Sequence, residues 1–460
     1  MQLSPKSSSE VRVFLFGGST VYGVPVPEVA FVRQTGYWLR QLFPDRNIRI
    51  YNFGAPGRDT AFVRAQFERR LADQPDLTVV ITGHNEFLRP STPARKPVAD
   101  IRGALSAHLA TMRLVERGVN RMMKWRKANV MPDQVEPWDR RSPEFERRLA
   151  AYEADLKEIV ATARQHGVKL ILGTLPSNLA DWPPVYQRLS NRDSRYSELV
   201  SRIQRLLREE KYREASQAIS EGGGSYSEDA MLYFLRGKVQ AAEGAYSDAL
   251  TSFIKARDLD PVPWRTTSQL NSIVRRNATG RPGVYLVDLD KVYQERAEHG
   301  MIGLDLIGDN VHGTPLGESI SAQAVIEVMS QIGFLPRLEK TWALCCPVTR
   351  FLTDIGYLQP KSPLRLQVLL EDGKYVMKTP FLNYDLSRKY LMDAVNVDEN
   401  SWEVWANLAS VSYLTGQSAK GAGQLARATE LHHAPLDPDD RIHTPYLKEA
   451  LQAVTPTNSQ

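Results

Sequence analysis

The stretch "FLFGGSTVYG", residues 14–23, closes an apolar, β-prone run (Val11, Val13, Phe14, Leu15, Phe16) on two glycines, a serine and a threonine. A strand that finishes in this way leaves Ser19 at its carboxyl end. Three uses are open for it there: a nucleophile, a phosphate cradle or a plain turn. Four more runs of strand length follow, at 48–53 (IRIYNF), 77–82 (LTVVIT), 169–174 (KLILGT) and 284–289 (VYLVDL). Helical patterns separate them. Phe31, Tyr37, Leu39 and Phe43 form one amphipathic stretch, Phe62, Phe67 and Leu71 another; 143–166 reads as a long helix, and 320–332 as a closing one. Strands alternating with helices predict βαβ units and a parallel sheet covered on both faces, with ligands gathered at the carboxyl ends of the strands. Ser19, the glycines of 54–57, Asn85 and the segment after Leu289 all fall at such ends.

The chain has 460 residues, enough for two or three domains, with 42% apolar and 24% charged residues, an ordinary globular composition. Mean hydropathy is −0.36, and no run reaches the length of a membrane span. The first ten residues, MQLSPKSSSE, hold no apolar stretch of signal-peptide type, which leaves the compartment open. A net charge of +5 is too small for this length to imply nucleic acid. Charge is uneven, though: 95–127 carries nine Lys/Arg against Asp100 and Glu116. Within it, Leu105, Leu109, Met112, Val115, Val119 and Met122 recur at helical spacing. We read 103–128 as a packed surface helix with a solvated basic face, in preference to a lid or an interfacial helix touching membrane or substrate. The two cysteines, Cys345 and Cys346, are adjacent, which suits neither a mutual disulfide nor a zinc site.

Too many residues separate the fourth and fifth strands for a single crossover. Within them, 232–261 places Gly237, Ala249, Phe253, Ala256 and Pro261 at the spacing of a tetratricopeptide (TPR) helix-turn-helix unit. A weaker copy stands at 206–219, and Trp405, Leu408, Gly421, Leu425 and Ala428 repeat the rhythm beyond residue 380. The expected organisation is a sheet domain over 1–190 and 280–337, interrupted by a TPR-like insert at 191–279 and followed by a C-terminal TPR-like domain at 338–460.

A serine hydroxyl becomes a useful nucleophile only when a base takes its proton, and that base needs an orienting acid and nearby donors for the oxyanion. The strand ends supply candidates for each. "NFGAPGRDT" follows strand two, and Gly54 and Gly57 allow a tight turn that aims an N–H inward. "TGHNEF" follows strand three and offers the uncharged amide of Asn85. "DLIGDNVHGTPLG" precedes the last helix, with Asp309 and His312 spaced so that one turn brings the carboxylate under the imidazole. A second D-x-x-H, Asp440 and His443, follows no sheet strand and reads as coincidence; His432 and His433 read as exposed loop residues.

"GGST", "APGRDT", "GHNE" and "DNVH" resemble blocks one, two, three and five of the SGNH/GDSL hydrolase superfamily, and "TLPSNLADWPP" after strand four is similar to its subgroup carrying TPR repeats. The resemblance covers about 1–190 and 280–335. It implies a flavodoxin-like three-layer α/β domain with a five-stranded parallel sheet. It maps the nucleophile onto Ser19, the base and acid onto His312 and Asp309, and the oxyanion donors onto the Ser19 and Gly57 N–H groups and Asn85. Gly18, Glu86, Asn178 and Trp182 are expected to line the substrate. Two departures stand out: G-G-S-T in place of G-D-S, and Glu86 where the family has Asp.

The implied activity is ester hydrolysis through an acyl-enzyme, with no cofactor and no metal, on an ester-bearing small molecule, glycan or lipid. The TPR-like helices would frame the site or bind a protein partner. Two alternatives remain: an O-acyltransferase using an alcohol acceptor on the same fold, and a non-catalytic scaffold. Other chemistries fit less well. GGSTVYG matches neither G-x-G-x-x-G nor a Walker loop, and Val21 stands where a G-x-S-x-G elbow needs glycine.

Overall fold

The computed structural model describes residues 3–88, 137–185, 194–226, 228–337, 347–378 and 381–454. The basic stretch 103–128, Cys345 and Cys346 lie outside the described residues. Along the chain, β1 (Glu10–Gly17) leads into the single turn α1 (Ser19–Tyr22), followed by α2 (Phe31–Leu42), β2 (Asn47–Gly54), α3 (Thr60–Arg70) and β3 (Leu77–Ile81). Then come α4 (Pro143–Gln165) and β4 (Lys169–Gly173). Four helices precede the return to the sheet: α5 (Ser194–Arg208), α6 (Tyr212–Gly222), α7 (Ala230–Ala242) and α8 (Tyr246–Leu259). The sheet domain resumes with α9 (Ser268–Ala278), β5 (Val284–Val287), α10 (Leu289–Arg296) and α11 (Pro315–Gln331). The C-terminal part consists of α12 (Val348–Asp354), α13 (Pro363–Val376), α14 (Tyr384–Val397), α15 (Trp402–Leu414), α16 (Ser418–His432) and α17 (Leu447–Val454).

The sheet has five strands, all parallel, in the order β2-β1-β3-β4-β5. This is the flavodoxin-like order, whose direction reverses between β1 and β3. The crevice at the carboxyl ends of those two strands is therefore where a ligand fits, and Gly17 pairs there with Ile81. Side chains of β1 alternate between the two faces. Val13 and Leu15 join α2, α11 and α12 on one face; Phe14 and Phe16 join α3, α4 and α9 on the other. Each of these side chains is fully buried, worth roughly 1.5–3 kcal/mol of apolar transfer apiece. Caps match the sequence: the side chains of Asp59, Ser142 and Thr314 accept backbone N–H bonds at the starts of α3, α4 and α11, and the latter two helices begin on proline.

Between β4 and β5, α5 to α8 share an apolar core with Leu179, Tyr293, Ile302, Leu306 and Ile307, so they brace the segment that leads to Asp309. α7 and α8 close tightly because Gly237 faces Phe253; a Cβ at Gly237 would meet that ring at 2.7 Å. α9, which lies inside 191–279, packs its apolar residues on the sheet with α3 and α4, while Ser268 at its start bonds Arg257 and Asp258 of α8. α13 to α15 form a separate core through Leu370, Leu391, Val404 and Leu408. Among the described residues, no helix is long and apolar enough to cross a membrane.

Candidate active site

The two glycines before Ser19 answer to close packing. A Cβ on Gly17 would lie 2.1 Å from the Ile81 carbonyl oxygen, and one on Gly18 would lie 2.8 Å from Asn85 Nδ2. β1 can therefore end flush against β3, with Ser19 opening α1 at the switch point. The Ser19 carbonyl accepts from the N–H groups of Gly23 and Val24, while Asn52 Nδ2 holds the carbonyls of Val21 and Tyr22 at 2.9 and 3.2 Å.

Ser19 Oγ lies 2.8 Å from His312 Nε2, across 293 residues of sequence. His312 Nδ1 lies 2.6 Å from Asp309 Oδ2. Asp309 Oδ1 accepts the N–H groups of Val311 and His312, each at 2.7 Å, so the carboxylate is held in an Asx turn. Asp309 and His312 are both almost fully buried. Their loop is pinned on several sides: Ile307 bridges Gly313, Gly308 N donates to the His312 carbonyl at 2.9 Å, and the Tyr390 hydroxyl donates to the Gly308 carbonyl. Glu318 accepts the Phe31 N–H at 2.6 Å beside this loop; burial pushes its carboxyl up to about 8.

Asn85 reaches the same crevice from the end of β3. Its Nδ2 donates to the Arg58 carbonyl at 2.9 Å, which commits one of the two amide hydrogens and fixes the direction of the other. Gly57 sits on the facing loop with φ of +68°, a left-handed conformation that glycine adopts without strain. Ser19, Asn85, His312 and Asp309 thus converge on the carboxyl ends of β1 and β3, and Gly57 belongs to the loop at the end of β2.

The four residues expected to line the substrate divide. Gly18 faces Asn85, as described. Glu86 does not line the crevice: it is buried, and its Oε1 accepts the Thr60 N–H and hydroxyl at 3.0 and 2.6 Å, tying the start of α3 to the end of β3. Burial pushes its carboxyl up to about 7 against those bonds. Asn178 is also withdrawn. It is fully buried, donates to the Ile307 carbonyl at 3.0 Å and accepts from Asp181 N at 2.9 Å, so it staples the loop after β4 to the Asp309 loop. Trp182 is buried against Phe381 at 5.1 Å, in an apolar wall it shares with Val185, Val262, Trp264 and Val376.

That wall brings in residues with no motif to announce them. Tyr375, at the end of α13, packs against the His312 ring at 5.1 Å and against Phe381 at 5.6 Å. His84, beside Asn85, is buried; its Nδ1 accepts the Thr266 N–H at 3.0 Å, which leaves the ring proton on Nε2. Burial and the neighbouring His312 push the His84 imidazole down to about 3, so it is neutral.

Asp440 and His443 reproduce the local geometry of the buried pair. Asp440 Oδ1 accepts Ile442 N and His443 N at 3.0 Å each, and the imidazole lies 2.7 Å from Oδ2. This pair is partly exposed, on the loop before α17, with no serine placed on His443 among the described residues. D-x-x-H spacing builds the dyad anywhere; the strand ends supply the rest.

Residues 15–230 match the profile of the GDSL-like Lipase/Acylhydrolase family. No curated protein matches the chain. Among solved structures, a catalytic mutant of an acetylxylan esterase from Geobacillus stearothermophilus is similar with a TM-score of 0.36 at 14% identity, covering 74% of this chain and 100% of that one. An acetyl xylan esterase, AlAXEase, gives a TM-score of 0.32 at 12% identity, over 69% of this chain and 99% of that one. An alpha/beta hydrolase enzyme from the metagenome of Lake Arreo, Spain, gives 0.31 at 12% identity, over 70% and 96%. Likeness at those scores bears on neither substrate nor mechanism here.

Proposed function

We propose that the chain is an ester-hydrolysing serine hydrolase, a reading that the match of residues 15–230 to the GDSL-like Lipase/Acylhydrolase family supports, and that it works through Ser19, His312 and Asp309 with an acyl-enzyme intermediate. One observation carries this assignment: the unbroken hydrogen-bond chain from Ser19 Oγ through His312 to Asp309, buried at its far end and open at the serine.

The steps follow from that chain. Ser19 Oγ attacks the ester carbonyl carbon as His312 Nε2 takes the hydroxyl proton. Asp309, held by two backbone N–H groups, keeps the proton of the neutral ring on Nδ1 and stabilises the imidazolium. The carbonyl π electrons move onto oxygen, and the oxyanion accepts from the Ser19 and Gly57 N–H groups and from the second hydrogen of Asn85 Nδ2. When the tetrahedral intermediate collapses, the C–O bond to the alcohol breaks and His312 returns its proton to the leaving oxygen. Water, deprotonated by His312, then attacks the acyl-enzyme; the acid departs and Ser19 regains its proton. The TPR-like character of the helical parts belongs to this proposal as well, with α5 to α8 bracing the Asp309 loop and α13 to α14 walling the cleft.

Chromogenic esters of increasing acyl length test the reading. Ser19→Ala and His312→Ala should each lower kcat by several orders of magnitude with the melting temperature unchanged, since members of one catalytic unit fail together. His443→Ala should stay near wild type. Loss of activity in His443→Ala with His312→Ala still active would move the site to the other dyad and refute the assignment.

A further inference from the structure

The C-terminal helices bring to the cleft a charge that the triad does not use. Lys378 follows α13, and its ammonium sits over the Tyr375 ring, 5.0 Å from the centroid. The other side of that contact chain is the base itself, because Tyr375 packs on His312 at 5.1 Å. The ammonium and the imidazole therefore contact the same tyrosine ring. Lys378 is half-buried, and among the described residues no carboxylate lies within ion-pair range of it.

The acidic groups that act on Lys378 are committed elsewhere. Glu371 pairs with Lys374 at 2.5 Å, and Lys374 also holds Glu403 at 3.0 Å. Asp309 is bound to His312 and to two backbone N–H groups. Partial burial and the nearby Lys374 hold the Lys378 ammonium below the usual lysine range, while Glu371 and Asp309 oppose that shift. A cation that is partly desolvated, without a hydrogen-bonded anion, is costly to keep unless something pairs with it. Tyr375, whose ring the ammonium contacts, packs against the apolar cluster of Trp182, Trp264 and Phe381, and an apolar neighbour of this kind would strengthen such a pairing.

We propose that Lys378 is the anion-recognising residue of the cleft, and that the preferred esters carry a carboxylate or similar anionic group, on the alcohol or the acyl part, which the Lys378 ammonium binds. This rests on the reading of Ser19 as the nucleophile, since that places the reacting ester beside His312, whose ring packs on the same tyrosine that Lys378 contacts.

Two pairs of probes separate the sources of the charge. 4-Acetoxybenzoate against its methyl ester places the carboxylate in the alcohol part; 4-nitrophenyl hemisuccinate against 4-nitrophenyl methyl succinate places it in the acyl part. In one pair, kcat/KM should favour the anionic ester by about tenfold, the scale of one charge-assisted hydrogen bond. Lys378→Met should abolish that preference, Lys378→Arg should keep it, and added salt should weaken it. Where the esters are turned over, no preference in either pair, or the same preference in Lys378→Met, overturns the proposal. Calorimetric binding of the same four esters to Ser19→Ala keeps the two readings apart, because it needs no turnover. If wild type hydrolyses none of the esters but binding depends on Lys378, the Ser19 assignment fails and the anion site stands. If turnover is normal but neither binding nor preference depends on Lys378, the anion site fails alone.

Discussion

The ring of Tyr375 stands 5.1 Å from the ring of His312, at an interplanar angle of 82°. These residues belong to different parts of the chain: His312 to the loop before the last sheet-domain helix, Tyr375 to the C-terminal helices. The C-terminal part thus reaches the proposed base, in addition to the insert between β4 and β5.

Tyr375 restricts the swing of the imidazole, and an edge-on aromatic pair is worth about 0.5–1.5 kcal/mol beyond its buried area. Tyr375→Leu should therefore lower kcat on a neutral acetyl ester by roughly two- to twelvefold, with Tyr375→Phe close to wild type. Steady-state kinetics alongside a melting curve measures this. An unchanged kcat in a well-folded Tyr375→Leu enzyme would reduce the contact to packing.

Gly18 explains one departure from the family pattern. A side chain there would push on Asn85 Nδ2, which is the free end of a short side chain and can yield. Gly18→Asp, which restores the family's G-D-S, is expected to leave stability nearly intact but displace the proposed oxyanion donor. Asn85→Ala should cost about 10²–10³ in kcat with little change in KM, and Gly18→Asp should move kcat in the same direction. A fully active Asn85→Asp enzyme would contradict the oxyanion role, because a carboxylate repels the developing charge.

Glu86 makes stability depend on pH. Burial raises its carboxyl from 4.5 to about 7 in the folded chain, the direction in which the native state holds the extra proton. Between those values the unfolded chain has lost the proton and the folded chain has kept it, so stability falls as pH rises through that window. Glu86→Gln preserves an acceptor for the Thr60 N–H and removes the titration. Denaturant unfolding from pH 4.5 to pH 7 should show a shallower fall for Glu86→Gln than for wild type. Parallel profiles would contradict the assignment.

Much of the sheet, and the residues of the proposed triad as candidates, were legible in the sequence. β1 ends on Gly17, as the run Val11–Phe16 and its two glycines predict, and all five expected strands appear within one or two residues. Ser19, Asn85 and His312 stood out as candidates because each lies at or beside a strand or helix boundary that the sequence marks locally. Glu86 and Asn178 were misplaced for a physical reason. They adjoin motif positions, but their polar groups find buried partners, Thr60 for one, Ile307 and Asp181 for the other. Tyr375 and Lys378 were not legible at all. "DGKYVMK" carries no periodic or chemical mark that would set it apart, and its place at the cleft arises only when α13 packs across the Asp309 loop.

The central claim is that Ser19 forms the acyl-enzyme. Wild-type protein mixed with 4-nitrophenyl acetate, quenched in acid within the first turnovers and digested, should yield one peptide heavier by a single acetyl group, with the modification on Ser19. The same treatment of Ser19→Ala should yield no acetylated peptide, and His312→Ala should acylate far more slowly. Acetyl on another residue of the wild-type protein, with Ser19 unmodified while the ester turns over, would contradict the account.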